Sequence, residues 1–319
     1  MTQTLTNIRP TTFVEAPTLS TLLGCNITFA DETKQHTGSF KFRAAYNLAS
    51  KIDNEHIIAA SSGNFALALA YACSILGKRC TIVMPSTAAQ IKIEGIKKYG
   101  GQIEFVDTAK KGRAERLAEL AKENPDAYIT NAYDNELIID GNLSLGQEIA
   151  QYDEPFHYVI SPIGGGGLIS GIMLGTNKQD IAHASKQASH TLSQAAHPTV
   201  IGAEPALAND AARSLCSGKL IANEIEPQTI ADGARTISLG NLNWEIIKSS
   251  LKQIIEVPEE KIKEAVKLIY EHTGIKAEPT GALSLGAILV APSQFKEKNV
   301  CCIISGGNVD EEVFQALVK

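Results

Sequence analysis

One lysine lies in a short stretch whose neighbours could change its chemistry. Lys41 belongs to the run GSFKFR at residues 38–43, with an aromatic residue on each side. Partial exclusion of water from an ammonium group lowers its pKa and makes the neutral amine available as a Schiff-base nucleophile. Most lysines are solvated surface residues, so the run alone is also compatible with an ordinary lysine. Three further stretches bear on that choice.

The first of these is a run of four glycines, Gly164, Gly165, Gly166 and Gly167, between a β-prone and a helix-prone segment. Such a turn places bare backbone amides at a helix N-terminus, where an anion binds without a basic side chain. A dinucleotide fingerprint is the alternative, but its third glycine would fall at residue 169 or 170. Packing alone is a second alternative, although four glycines cost much unfolded-chain entropy. The turn therefore predicts a monophosphate site.

Two small polar turns complete the set that pyridoxal phosphate requires, namely a lysine, a phosphate-sized glycine turn and polar loops. In Ser61-Ser62-Gly63-Asn64 the amides and the Ser62 hydroxyl could hold a substrate carboxylate, and Asn64 could bind the cofactor's phenolic oxygen. Ser305 could face the pyridine nitrogen, where a neutral hydroxyl favours elimination over transamination. An ordinary N-cap and an ordinary strand-to-loop turn are the respective alternatives.

Two carboxylates form a separate candidate site for a metal ion. Glu204 and Asp210 are six residues apart, and a carbonyl between them could complete a set of oxygen ligands for a hard divalent cation. Solvated surface carboxylates are the alternative, so the spacing alone is weak evidence.

Composition excludes several classes of function. The 319 residues carry a net charge of -6, which gives no electrostatic footprint for nucleic acid or an anionic membrane. No apolar run approaches the roughly 20 residues of a membrane span, and no signal peptide is recognisable. The six cysteines form no CxxC pair, and we interpret them as reduced, buried thiols of a cytoplasmic protein.

Apolar runs and helical patterns alternate along most of the chain, which predicts βαβ units and parallel sheets. Strands are expected near residues 26–30, 56–60, 80–84, 102–106, 127–129, 156–163, 199–204, 253–257 and 300–304. Helices are expected near residues 17–23, 41–48, 65–76, 85–98, 111–122, 142–150, 168–178, 185–197, 258–272 and 281–290.

The quoted motifs, in this order, resemble the serine/threonine dehydratase and serine racemase family of pyridoxal-phosphate enzymes, which has the fold of the tryptophan synthase β subunit. The matching stretches are residues 35–43, 61–64, 164–168, 204–205, 231–233, 278–281 and 305–310. The resemblance implies an α/β protein with two open, mostly parallel sheets flanked by helices and the cofactor in the cleft between two domains. The large domain would comprise residues 1–49 and 141–319, and the small domain residues 50–140.

The resemblance also implies a role for each matching residue. Lys41 would form the Schiff base, and Ser62 would act as a second acid/base on the opposite face of the ring. Cofactor contacts would come from Phe40, Lys41, Asn64, Gly164, Gly165, Gly166, Gly167, Leu168, Glu278 and Ser305. Substrate contacts would come from Ser61, Ser62, Gly63 and Asn64, and a structural Mg²⁺ or Ca²⁺ would be bound by Glu204, the Ala208 carbonyl and Asp210.

Departures from the family pattern concern the substrate more than the cofactor. Ala44 stands where a glycine is common, and Phe65 where a histidine commonly follows Gly-Asn. Residues 140–144 read Asp-Gly-Asn-Leu-Ser where Ala-Gly-Gln-Gly-Thr is usual, so the substrate-side wall differs. The chain ends soon after Asp310, so we expect no C-terminal regulatory domain.

The expected reaction is the β-elimination of L-threonine or L-serine to a 2-oxo acid and ammonia. A serine racemase, or a dehydratase of another β-hydroxy amino acid such as 3-hydroxyaspartate, is the alternative. A β-replacement transferase is less favoured, and an intact Lys41 argues against a cofactor-free protein. We expect an amino-acid substrate and a homodimer, without nucleic-acid or membrane partners.

Overall fold

The computed structural model describes residues 7–61, 63–86, 88, 90–107, 112–177 and 197–319. The strands in these ranges are β1 (Thr12–Glu15), β2 (Asn26–Asp31), β3 (His56–Ala60), β4 (Arg79–Pro85), β5 (Gln102–Val106), β6 (Tyr128–Thr130), β7 (Tyr158–Pro162), β8 (Thr199–Pro205), β9 (Ile254–Val257) and β10 (Asn299–Ile304). The first seven α-helices are α1 (Pro17–Leu23), α2 (Lys41–Lys51), α3 (Asn64–Leu76), α4 (Gln90–Lys98), α5 (Arg113–Glu123), α6 (Glu136–Ala150) and α7 (Gly167–Gly175). Those that follow are α8 (Asp210–Ser217), α9 (Asn241–Ser250), α10 (Glu259–Thr273), α11 (Leu283–Val290), α12 (Pro292–Phe295) and α13 (Glu311–Val318).

The larger sheet has six strands in the order β1-β2-β10-β7-β8-β9. Only β1 runs antiparallel to its neighbour, and the other pairs are parallel. The carboxyl ends of parallel strands lie at one edge of a sheet, where ligands bind in open α/β folds. The glycine turn after β7 and Ser305 after β10 therefore emerge at the same edge.

The smaller sheet has four parallel strands in the order β5-β4-β3-β6. Its strands all lie between residues 56 and 130, and β3 leads directly to residues 61–64. The predicted α/β architecture of two mostly parallel sheets flanked by helices is confirmed. The predicted domain boundaries at residues 50 and 140 stay a prediction.

Apolar side chains cover both faces of the six-stranded sheet. Cys302 packs with Ile27 and Phe29 in one cluster, whereas Cys301 packs with Phe40 in another, so the two adjacent cysteines face opposite sides of β10 as expected. All six cysteines are free, and Cys216 is exposed, which departs from the expectation of buried thiols.

Several boundaries differ from the sequence-based expectation. Helix α6 begins at Glu136 and not at Asn142, because the Asn135 side chain caps it by accepting a hydrogen bond from Leu137 N. Helix α4 begins at Gln90, five residues later than expected. Strand β1 and helices α8, α9, α12 and α13 were not expected, and the helix expected at residues 185–197 lies almost wholly outside the described residues. No helix in the described ranges has the length and apolarity of a membrane span.

A buried ionic network anchors helix α2, which carries Lys41. The Arg43 guanidinium is fully buried, and its Nε and Nη2 donate to the two carboxylate oxygens of Glu32 at 2.8 and 2.9 Å. Nη1 donates to Glu148 on α6 at 2.7 Å, and Nη2 also donates to the Thr11 hydroxyl at 2.8 Å. Three separate segments are thus tied to the first turn of α2.

Arg43→Ala should lower the free energy of unfolding by about 3–5 kcal/mol, because it leaves Glu32, which is 1 % exposed, without its cation. Arg116→Ala is the matched control, since this arginine pairs with three partly exposed carboxylates and such pairs are worth about 0–1 kcal/mol. Urea unfolding measures both values. Equal, small losses would show that the Arg43 network is not a buried ionic anchor.

Candidate active site

The Lys41 amine lies in an apolar environment at the start of α2. Its Nζ donates a hydrogen bond to the Ala132 carbonyl at 3.0 Å and lies 5.0 Å from the Phe40 ring centroid and 5.9 Å from that of Phe65. Burial lowers the pKa of Lys41 to about 8, although the nearby Glu278 carboxylate raises it. Desolvation outweighs that attraction, so far more neutral amine is present near neutral pH than in a solvated lysine.

Glu278, Asn64 and Asn308 form a hydrogen-bonded chain beside the lysine. Asn64 Nδ2 donates to Glu278 Oε1 at 2.8 Å, and Asn308 Nδ2 donates to Asn64 Oδ1 at 2.9 Å. Burial and the Asp232 charge raise the pKa of Glu278, while the Asn64 hydrogen bond and two lysines lower it. The chain fixes the orientation of the Asn64 amide, because one partner accepts from it and the other donates to it.

Ser305 lies next to Phe40, as the predicted site requires. Phe40 N donates to the Ser305 carbonyl at 3.0 Å, and Ser39 and Gly306 form an isolated antiparallel bridge. Ser305 is buried at the end of β10. These contacts bring the residue before Lys41 against the turn that follows the central strand.

The glycine turn combines unpaired amides with no room for side chains. Ile163 N donates to Ala203 O and Ser170 N to Gly166 O, but the six N–H groups of residues 164–169 have no backbone acceptor among the described residues. A Cβ at Gly165 would lie 2.2 Å from the Tyr133 ring, and one at Gly164 would lie 2.8 Å from the Gly233 carbonyl. Gly166 also has a φ of 92°. Close packing from both sides therefore requires glycine here, and the free amides form an anion cradle that continues into Leu168.

The turn after β3 fits its predicted role only in part. Ser61 N donates to the Val83 carbonyl at 3.1 Å and extends the sheet, so it is not available to a substrate carboxylate. Gly63 N lies 3.4 Å from Ser61 Oγ, a long hydrogen bond. Ser62, the predicted second acid/base, lies outside the described residues.

Glu204 and Asp210 are close together and buried. The Glu204 carboxylate accepts hydrogen bonds from the N–H groups of Ala211 and Ala212 in the first turn of α8. Asp210 Oδ1 accepts from Asn223, but Asp210 Oδ2 is buried without a hydrogen-bond partner among the described residues. Burial raises the pKa of Glu204 to about 8 and that of Asp210 to about 6. The unpaired oxygen fits a cation ligand, although no group of three or more His, Cys, Asp or Glu that could hold a metal occurs in the described residues.

A family model described as "Pyridoxal-phosphate dependent enzyme" matches residues 4–306. The chain belongs to this family. It is 35 % identical over 309 residues to the beta-hydroxyaspartate dehydratase of Paracoccus denitrificans, covering 95 % of this chain and 92 % of that protein. It is 33 % identical to the serine racemase of Arabidopsis thaliana, covering 95 % and 89 %. The crystal structure of a threonine deaminase from T.th. superposes with a TM-score of 0.84 at 32 % identity, covering 95 % and 94 %.

The residues present fit pyridoxal phosphate. The six unpaired N–H groups suit its phosphate, and the desolvated Lys41 amine suits its aldehyde. Residues 132 and 133 connect these two features, because Ala132 accepts from Lys41 and the Tyr133 ring lies against the glycine turn. Sequence reasoning missed both residues, since neither lies in a motif.

The capture of pyridoxal phosphate by the cofactor-free protein should depend on pH in a way that reports on Lys41. Only the neutral amine attacks an aldehyde. Because the pKa of Lys41 is lowered to about 8, the neutral amine of Lys41 forms at a lower pH than that of a free lysine. Stopped-flow absorbance should therefore show a rate that rises up to about pH 8 and then levels off. Nα-acetyl-lysine amide is the control, with a rate that continues to rise towards pH ~10. A protein profile identical to this control would contradict the assignment.

Proposed function

We propose that this member of the family is an ammonia-lyase that converts a β-hydroxy amino acid to a 2-oxo acid and ammonia by β-elimination. The observation that carries the proposal is the buried Lys41 amine, whose lowered pKa suits a general base at neutral pH. Ser305 supports elimination, because a neutral partner for a pyridine nitrogen leaves the ring a weaker electron sink than a carboxylate partner does.

The substrates that we propose are L-threonine, L-serine and 3-hydroxyaspartate, each of which carries its leaving hydroxyl on Cβ. The likeness to a threonine deaminase supports the first, and the likeness to a beta-hydroxyaspartate dehydratase supports the third. The homodimer and the cytoplasmic location stay predictions.

Bound pyridoxal phosphate supplies an electron sink for the electron pair that is left on Cα when the α-proton departs. Lys41 Nζ takes that proton, and the Ala132 carbonyl holds Nζ in place through one of its hydrogens. The N–H groups of residues 164–169 would hold the phosphate, because they have no backbone acceptor of their own among the described residues. The apolar rings of Phe40 and Phe65 limit the access of water to the amine.

The remaining site residues would orient the cofactor and the substrate. We assign the ring contact to Phe40 and the partner of the pyridine nitrogen to Ser305. Asn64 keeps one Nδ2 hydrogen for the phenolic oxygen, because its other hydrogen is used by Glu278. The substrate carboxylate would be bound by Ser61 Oγ, Ser62 and the Gly63 N–H.

Racemisation is the second candidate function, and the likeness to serine racemases favours it. It needs an acid on the ring face opposite Lys41 to return the proton, and we propose Ser62 for this role. Elimination needs no such group. The D-enantiomer of serine is therefore the product that separates the two activities.

Incubation with L-threonine, L-serine and 3-hydroxyaspartate should yield a 2-oxo acid from at least one of them, measured with a coupled dehydrogenase, while chiral chromatography scores the D-enantiomers. Lys41→Ala should lose both activities, because it removes the base. Lys51→Ala is the matched control, since this lysine lies on the same helix but forms an exposed ion pair with Asp140. If none of the three substrates yields a 2-oxo acid, the lyase proposal fails. A D-enantiomer without any 2-oxo acid would instead make the protein a racemase.

We also propose that Glu204, the Ala208 carbonyl and Asp210 bind a structural Mg²⁺ or Ca²⁺. The unpaired Asp210 Oδ2 supports this, as do two buried carboxylates with raised pKa values, whose charges a divalent cation would neutralise. Ala208 is buried. It lies between Glu204 and Asp210 in the sequence, in the short 3₁₀ turn Ala206–Ala208 that follows β8.

Removal of divalent cations with EDTA should lower the melting temperature by several degrees, because a ligand that binds only the native state stabilises it by mass action. Asp210→Asn should make the melting temperature insensitive to both EDTA and Mg²⁺. Glu256→Gln is a matched control, since this exposed carboxylate is near enough for its charge to raise the pKa of Glu204, while its own hydrogen bond is to Asn209. If EDTA does not change the melting temperature of the wild-type protein, Glu204 and Asp210 are buried carboxyl groups that bind no structural cation.

A further inference from the structure

A buried asparagine on α9 forms a hydrogen bond with a backbone carbonyl of the glycine turn. Asn243 is 0 % exposed, and its Nδ2 donates to the Gly165 carbonyl at 2.8 Å and to the Tyr133 carbonyl at 3.0 Å. The Gly165 carbonyl also accepts from Gly240 N at 3.0 Å. This carbonyl therefore points into the protein, towards α9.

A second buried asparagine acts on the same turn from another helix. Asn142 on α6 is 1 % exposed, and its Nδ2 donates to the Gly167 carbonyl at 2.9 Å. Two side-chain amides from separate helices thus hold two carbonyls of one turn from the inner side.

A trans peptide unit directs its C=O and its N–H to opposite sides. Drawing the Gly165 carbonyl inwards turns the N–H of Gly166 outwards, and drawing in the Gly167 carbonyl does the same for the N–H of Leu168. Both N–H groups belong to the set that has no backbone acceptor among the described residues. We propose that Asn243, together with Asn142, is a positioning residue that aims the N–H groups of the glycine turn at the cofactor phosphate.

The orientation of both amides is settled by their partners. Asn142 Oδ1 and Asn243 Oδ1 are buried without a hydrogen-bond partner among the described residues. A flip of either amide would place this oxygen against a carbonyl oxygen, which is repulsive. The two Oδ1 atoms therefore stay without partners while the two Nδ2 groups donate to the carbonyls of the glycine turn.

Asn243 also contacts the loop that accepts a hydrogen bond from Lys41. The Tyr133 carbonyl that it holds is one residue from the Ala132 carbonyl that accepts from Lys41 Nζ. One amide thereby fixes the phosphate cradle relative to the loop that holds the amine.

The test compares pyridoxal 5′-phosphate with pyridoxal, which lacks the phosphate but offers Lys41 the same aldehyde. Wild type, Asn243→Ala and Asn142→Ala are stripped of cofactor, checked for folding by circular dichroism and titrated with each compound. Each variant should bind pyridoxal 5′-phosphate roughly ten-fold more weakly, whereas its affinity for pyridoxal should fall by much less. The ³¹P resonance of the bound cofactor in each variant holoenzyme should move towards that of the free cofactor.

Asn47→Ala is the matched control. Asn47 is also buried and donates to a backbone carbonyl, that of Leu137, away from the glycine turn. It should lower the melting temperature without changing the ratio of the two affinities. The proposal fails if the Asn243 and Asn142 variants weaken both compounds equally, if neither affinity changes, or if neither variant folds. If only one variant folds, its ratio of affinities decides.

Discussion

The burial of the Lys41 amine is the constraint on which the rest of the site depends. Its removal from water lowers the pKa more than the Glu278 charge raises it, so the neutral form is far more abundant near neutral pH than in a solvated lysine. The neutral form of an amine that lies near two phenyl rings needs few polar partners, and the Ala132 carbonyl provides one. The site can therefore keep a reactive base without a buried ion pair, whose desolvation would oppose its attraction.

The loop at residues 131–134 connects the two sheets through this site. It leaves β6 of the four-stranded sheet, and Asp134 accepts hydrogen bonds from Asn241 N and Leu242 N at the start of α9. A carboxylate at a helix N-terminus is favoured by the helix dipole and by the free amides. Because the same loop bonds to Lys41 and packs on the glycine turn, a movement between the sheets would disturb the amine and the phosphate cradle together.

The sequence allowed prediction of those features that depend on neighbours along the chain. Alternating apolar runs predicted nine of the ten described strands, and the four glycines after a β-prone run predicted a turn that has unpaired N–H groups in the structure. Contacts between distant residues were not predictable in this way, because Asn243 lies 78 residues from Gly165 and Arg43 lies 105 from Glu148. Strand β1 was missed because its four residues are half exposed and pair only at a sheet edge. The start of α6 could have been found, since Asn135 is a typical N-cap.

Among the unpaired buried oxygens of the described residues, that of Asp210 and those of Asn142 and Asn243 persist for different reasons. Each costs about 1–3 kcal/mol of stability, so its persistence requires an explanation. A divalent cation would relieve Asp210 Oδ2, because a carboxylate is a natural ligand and Glu204 supplies a second one. No cofactor contact would relieve Asn142 Oδ1 or Asn243 Oδ1, because the glycine turn takes the Nδ2 side of each amide. The two asparagines therefore persist despite this loss of stability because their Nδ2 groups orient the backbone amides of the glycine turn. A hydrophobic residue in either place could not do this.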